Sequence, residues 1–148
     1  MAVMSRVHRT LFIFSLSCYG LALFLPGLAA RESNPYGFHG VSGFMCLVFG
    51  WSTVVAGWKY FLPWMSNFLY LPALLLWIAG PRARRWGALL ALGSLILAAQ
   101  TLRIDTFMVN EAGHRVAVQP GLGAWCWMAS MIVLLFGAVA PIANRSSP

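Results

Sequence analysis

The residues that could do acid–base chemistry lie in one polar segment near the carboxyl end of the chain. They are Asp105, Glu111 and His114. A carboxylate beside a histidine can act as a general base or bind a metal ion. The spacing matches no H-E-x-x-H, H-x-x-E-H or paired-acid motif, and Glu111 with His114 is a common turn composition. These three residues are therefore weak catalytic candidates, no metal site is predicted, and a solvated loop is the favoured interpretation.

Cysteine and histidine usage does not indicate a cofactor. Each of the three cysteines falls inside an apolar run without C-x-x-C spacing, where a free cysteine behaves as a small hydrophobic residue. The three histidines lie at or beyond the ends of the apolar runs, whereas haem needs axial ligands from facing helices. We predict no disulfide, no haem and no other cofactor.

The composition is that of a membrane protein. Of the 148 residues, 60% are hydrophobic and 9% are charged, against roughly 25% charged residues in an ordinary soluble domain. The net charge of +7 could suggest a nucleic-acid partner, but the basic residues stand at the ends of apolar runs, where membrane proteins place them to set orientation. We predict a single membrane domain over residues 1–148. Its predicted partner is the lipid bilayer, and we predict no nucleic-acid partner.

Four apolar runs are long enough to cross a bilayer. At about 1.5 Å per residue, runs of about 20 residues reach the roughly 30 Å of the hydrocarbon core. Pro26 and Pro72 lie within two of these runs and predict kinks in a packed assembly. The predicted transmembrane helices are residues 11–30, 60–80, 86–104 and 122–141.

The first run also resembles a secretory signal peptide. Arg6 and Arg9 precede it, and the small residues Gly27 and Ala29 stand near a candidate cleavage point. A signal-peptide core is usually about 7–15 residues long, whereas this run is about 20 residues long. An uncleaved helix is the favoured interpretation.

The segment at residues 41–58 is doubtful as a fifth span. Its 18 residues would reach only about 27 Å as a helix. If it does not cross, the basic cluster PRARRW at 81–86 lies on the same side as Arg6 and Arg9, as expected of a cytoplasmic face. We therefore predict an all-α integral membrane protein with a cytoplasmic amino terminus, four transmembrane helices and one re-entrant or outer-leaflet helix. Five full spans are the alternative.

Small residues recur along one side of that segment. Bulky apolar residues occupy its other side, and small residues at a regular interval let two helix backbones approach closely in lipid. We predict a packing seam whose partner is another helix of this chain or a second protein. The seam consists of Gly43, Cys46, Gly50, Thr53 and Gly57.

Asn67 and Gln100 are the internal polar residues of the predicted spans. We predict that they hydrogen-bond between the helices that carry them.

Residues 105–121 form the predicted extracytoplasmic loop. Short extended runs at 106–109 and 114–118 flank a turn with Gly113, which predicts a small β-hairpin.

Part of the chain resembles a known group of proteins. The motif NEAG stands at 110–113, and G-x-W-x-W-x-A-S-M stands at 123–131. The chain also contains the stretches GFMCLVFGW, WMSNFLYLPALLLW and PRARRW. All of these motifs lie within about residues 40–136. Together they resemble an uncharacterised family of small multi-pass bacterial inner-membrane proteins. The resemblance implies a bacterial inner membrane and no known activity.

Three functions remain open at this stage. The leading hypothesis is a non-enzymatic accessory or interaction subunit that contacts a second copy of itself or another membrane protein. The first alternative is an oligomeric small-solute channel or transporter with Asn67 and Gln100 in a polar funnel. The second alternative is a membrane enzyme that acts on a lipid or envelope substrate with Glu111, His114 and Asp105.

Overall fold

The computed structural model describes residues 6–110 and 113–139. Helices dominate, and four short strands form one small sheet. In chain order the elements are α1 (Arg6–Phe24), β1 (Pro26–Ala30), β2 (Gly40–Ser42), α2 (Gly43–Phe49), a 3₁₀ helix (Gly50–Ala56), α3 (Trp58–Ala79), α4 (Pro81–Ala98), a second 3₁₀ helix (Ala99–Arg103), β3 (Thr106–Met108), β4 (Arg115–Pro120) and α5 (Leu122–Val139).

The four long helices run antiparallel to their neighbours in the bundle. Near one end of α1, the rings of Phe12 and Trp77 are 6.0 Å apart, and near its other end the Tyr19 hydroxyl donates to Asn67 Oδ1 at 2.9 Å. A single residue, Gly80, joins α3 to α4. Its φ of 124° is one that glycine adopts readily. Within the described residues, four helices are long and apolar enough to cross a membrane.

The bundle has two chemically different ends. We call the end beside the strands the sheet end, and the opposite end the arginine end. Helix α1 starts at the arginine end and finishes beside β1, whereas α3 starts at the sheet end and finishes 22 residues later at the start of α4. The arginine end therefore carries Arg6, Arg9, Arg82, Arg84 and Arg85.

The first helix begins and ends earlier than predicted. It ends at Phe24, and residues 26–30 form a strand instead of the last turns of a helix. Pro26 has no N–H group, and a proline disfavours helical backbone at the residue before it. The predicted kink at Pro26 is wrong because this proline begins β1, which is a position that tolerates proline.

The sheet is larger than the predicted hairpin. Strands β3 and β4 form that hairpin, with Phe107 paired to Val116. Strand β1 lies between β4 and β2, and Leu28 pairs with both Pro120 and Val41. The strand order is β2-β1-β4-β3, with every pair antiparallel. The sheet therefore joins the end of α1 to the start of α5.

The segment Gly43–Ala56 begins and ends at the sheet end. Its first amide, Gly43 N, donates to Leu25 O at 2.9 Å, next to the end of α1. It finishes at the start of α3, where Lys59 Nζ contacts Asp105 Oδ1 at 2.9 Å beside β3. The segment is an apolar helix shorter than a span, and it does not run along the bundle. This geometry does not support the alternative of five full spans.

Local hydrogen bonds explain the change to 3₁₀ geometry halfway along this segment. The Ser42 side chain caps α2 by accepting from Met45 N at 3.3 Å, as serine often does. The hydroxyls of Ser52 and Thr53 donate to the carbonyls of Phe49 and Gly50, three residues earlier. Such bonds compete with the α-helical pattern and favour the tighter turn.

The basic cluster PRARRW belongs to a helix and is not a loop. Helix α4 begins at Pro81, five residues before the predicted start at 86, because proline suits the first turn, where its missing N–H group is not needed. Together with the following 3₁₀ turn, the helix continues to Arg103. The last predicted helix starts at Leu122 as expected, and the end predicted for it at 141 lies outside the described residues.

Candidate functional site: an apolar cavity at the sheet end

A cavity of about 390 Å³ lies at the sheet end of the bundle. It is bounded by the last turns of α1, the start of α3, the start of α5 and the inner side of the sheet. The segment Gly43–Ala56 closes one further side. Trp64 ties that segment to α3, because its Nε1 donates to Leu47 O at 2.7 Å.

Two of the seam glycines allow this segment to pack closely on its own chain. A Cβ at Gly43 would clash with the carbonyl oxygen of Ala22 on α1. A Cβ at Gly50 would clash with the Trp64 ring on α3. Both glycines and the other two small seam residues, Cys46 and Thr53, line the cavity.

Gly57 has a different role from the other seam residues. A Cβ there would meet no atom within 4 Å, and its φ is 118°. Gly57 is therefore the turn between the segment and α3, because glycine reaches such a φ without steric cost. The described contacts of Gly43 and Gly50 lie within the chain, on the side of the segment that faces the bundle.

Asn67 is the polar centre of the cavity. Its Oδ1 accepts from the Tyr19 hydroxyl at 2.9 Å and from Trp127 Nε1 at 3.2 Å. Its Nδ2 donates to Trp64 O on its own helix at 2.9 Å. The side chain is 8% exposed. Asn67 therefore connects α1, α3 and α5 at the wall of the cavity.

Gln100 does not share this environment. Its Nε2 donates to Ile96 O on the preceding turn at 3.3 Å, and it is not among the residues that line the cavity. Asn67 and Gln100 therefore do not bond to each other; Asn67 bonds to α1 and α5, and Gln100 bonds to its own helix. The cavity that Asn67 lines does not include Gln100.

Thr101 is a cavity residue with an unusual hydroxyl. The side chain is 5% exposed, and Oγ1 is buried without a hydrogen-bond partner among the described residues. A buried hydroxyl without a partner costs about 1–3 kcal/mol. Cys46 lines the same cavity, and burial raises the pKa of its thiol to about 11. The thiol therefore stays neutral at physiological pH.

The catalytic candidates are not brought together. Asp105 precedes β3 and pairs with Lys59, whose hydrogen bond lowers the pKa of the Asp105 carboxyl. His114 lies past the other end of β3. Along the strand it is roughly 13 Å from Asp105, at a rise of about 3.3 Å per residue. It contacts Asn110 and the Tyr36 ring. Glu111 lies outside the described residues.

Over 6–110 and 113–139, no three His, Cys, Asp or Glu side chains are grouped to hold a metal ion.

Three cavity residues were not singled out as site residues by sequence reasoning, namely Tyr19, Thr101 and Trp127. The signal was present for Tyr19 and Thr101, since each is a polar group within a predicted span. Tyrosine and tryptophan also place an apolar ring and one hydrogen-bonding atom together. Only the fold shows that Tyr19 and Trp127 share one acceptor.

These features define a class of protein. It is a small helical bundle with four helices long and apolar enough to cross a membrane, closed at one end by a four-stranded sheet over an apolar cavity. Comparison with protein-family models, with curated proteins and with solved structures finds no match.

Proposed function

We propose that this chain is an integral protein of a bacterial inner membrane and acts as a non-enzymatic accessory or interaction subunit. Its four long helices would cross the bilayer, with the arginine end in the cytoplasm and the sheet outside. The segment Gly43–Ala56 would enter the outer leaflet and return. The partner would be another membrane protein or a second copy of the chain.

The charge distribution supports this orientation. The arginine end holds five arginines, and no acidic residue stands in the elements that form it. The described acidic residues, Glu32 and Asp105, both lie at the sheet end. Cytoplasmic faces of membrane proteins collect Lys and Arg. The amino terminus would therefore be cytoplasmic.

Cysteine labelling tests this orientation. In a variant whose three native cysteines are replaced by alanine, we introduce Ala83→Cys at the arginine end or Tyr36→Cys between β1 and β2. A membrane-impermeant maleimide added to intact spheroplasts should label Tyr36→Cys and leave Ala83→Cys unlabelled until the membrane is permeabilised. Labelling of both sites, or of Ala83→Cys alone, in intact spheroplasts would contradict the proposed topology.

The observation that carries the interaction role is the outer side of the segment Gly43–Ala56. Its glycine side is packed against α1 and α3, so the bulky side faces away from the bundle. Phe44, Val48, Trp51 and Val55 are all exposed there, and Val55 is 90% exposed. Contiguous exposed apolar surface marks contacts with lipid or with another protein. A segment held at the sheet end would present this surface at one depth of the membrane.

Site-specific photocrosslinking separates a protein contact from a lipid contact. A photoreactive amino acid at Val55 should give a discrete crosslinked protein band in intact cells. The matched control is Leu75, which is exposed on α3 at 68% and should give lipid adducts only. Lipid adducts alone at both positions would contradict the interaction role. The mass of the band distinguishes a second copy from a different membrane protein.

A further inference from the structure

The cavity is large enough for a ligand. Its volume of about 390 Å³ falls in the range of about 300–1,000 Å³ found for small-molecule sites. It is more than twice the roughly 150 Å³ of an engineered apolar cavity that binds benzene. The walls come from six helical elements and the sheet, so the site is formed by the tertiary structure and not by one segment.

The lining selects for an uncharged, apolar ligand. No Asp, Glu, Lys, Arg or His is among the described residues that line the cavity. Aromatic rings contribute at several positions, including Phe49, Trp64 and Phe107. A charged headgroup would have to lose its hydration without a compensating partner, which is costly.

Water is a poor occupant of this cavity. A buried water typically needs 2–4 polar partners, but the polar groups of the lining mostly bond within the chain. Trp64 Nε1 and the hydroxyls of Tyr19 and Thr53 each have a partner. The Thr101 hydroxyl has none among the described residues. That oxygen is itself fully buried, so the lining offers an occupant mainly apolar surface.

We infer that the cavity binds one hydrocarbon chain of a neutral lipid. The chain would belong either to a free single-chain lipid or to a glycerolipid of the bilayer. Both sources present the same chemistry to the lining. The inference does not depend on the interaction role proposed above, because the cavity lies on the inner side of the segment Gly43–Ala56 and the interaction surface lies on its outer side.

Native mass spectrometry tests whether the site exists. Full-length protein in mild detergent is titrated with monooleoylglycerol, and one molecule should bind per chain. Cys46→Phe narrows the cavity and should abolish this complex. The matched control, Val48→Phe, adds the same ring on the exposed side of the same helix and should leave binding unchanged. Absence of the one-to-one complex in the wild type, or equal binding by both variants, would overturn the inference.

Ligand variation tests the charge selectivity and identifies the source. Oleate at pH 9 carries the same chain with a charged carboxylate and should bind at least tenfold more weakly than monooleoylglycerol. Equal affinity would overturn the proposal of a neutral ligand. Lipid extracted from the purified protein should be either an uncharged glycerolipid or a single-chain neutral lipid, and its mass assigns the source; an anionic phospholipid would overturn the proposal of a neutral ligand. Retention of detergent alone, at a level that Cys46→Phe does not change, would overturn the inference.

Discussion

Replacing Asn67 with leucine should lower the free energy of unfolding by about 2–4 kcal/mol. The change leaves the Tyr19 hydroxyl and Trp127 Nε1 without their common acceptor. Each buried donor without a partner costs about 1–3 kcal/mol, whereas an average interhelical hydrogen bond in a membrane contributes only about 0.6 kcal/mol. The cost per unpaired donor applies here, because both donors lose the same acceptor at one buried position. Thermal unfolding of the detergent-solubilised protein measures the loss.

Gln100→Leu is the matched control for this prediction. Its side-chain amide donates to a carbonyl of its own helix, so no other helix loses a partner. The unfolding temperature of Gln100→Leu should therefore remain near that of the wild type. Equal destabilisation by the two substitutions would mean that Asn67 is not the residue that connects α1, α3 and α5. The comparison also separates a structural Asn67 from a channel funnel, in which both residues would matter equally.

Gly43→Ala should destabilise the protein by about 1–3 kcal/mol, the usual cost of overpacking. The new methyl group would meet the Ala22 carbonyl oxygen, and a backbone atom cannot move aside as a flexible side chain can. The segment Gly43–Ala56 would have to separate from the end of α1. We expect a lower unfolding temperature and, because this segment closes the cavity, weaker binding of monooleoylglycerol.

Gly20→Ala provides the opposite expectation with the same chemical change. Gly20 lies inside α1, and a Cβ there would meet no atom within 4 Å. Alanine is favoured over glycine in a helix by about 1 kcal/mol, so Gly20→Ala should leave the stability unchanged or raise it. If Gly43→Ala is as stable as Gly20→Ala, the close approach of the segment to α1 is wrong.

Hydropathy and length predicted much of the architecture. Four long apolar helices are present, and they start or end near most of the predicted boundaries. The hairpin of β3 and β4 follows the two extended runs on either side of Gly113. Both features depend on residues that are close together in the chain. Such local patterns are expressed in the sequence and can be read from it directly.

The strand Pro26–Ala30 could not be predicted in the same way. Its residues are apolar and continue the run of α1, so length and hydropathy favoured a longer helix. Its partners are Val41 and Pro120, which are separated from it in the chain by a loop and by most of the bundle. A strand depends on the edge it pairs with, and strand propensity is therefore strongly affected by context.

Hydropathy and charge pattern were enough to predict the number of long apolar helices and the separation of the arginines from the acidic residues. The roles of individual residues became clear only from the folded chain. Asn67 and Gln100 are both amides in apolar helices, yet one joins three helices and the other bonds to its own turn. The reason is physical: composition and period are local properties, whereas hydrogen-bond partners and a cavity require side chains from distant segments to meet in space.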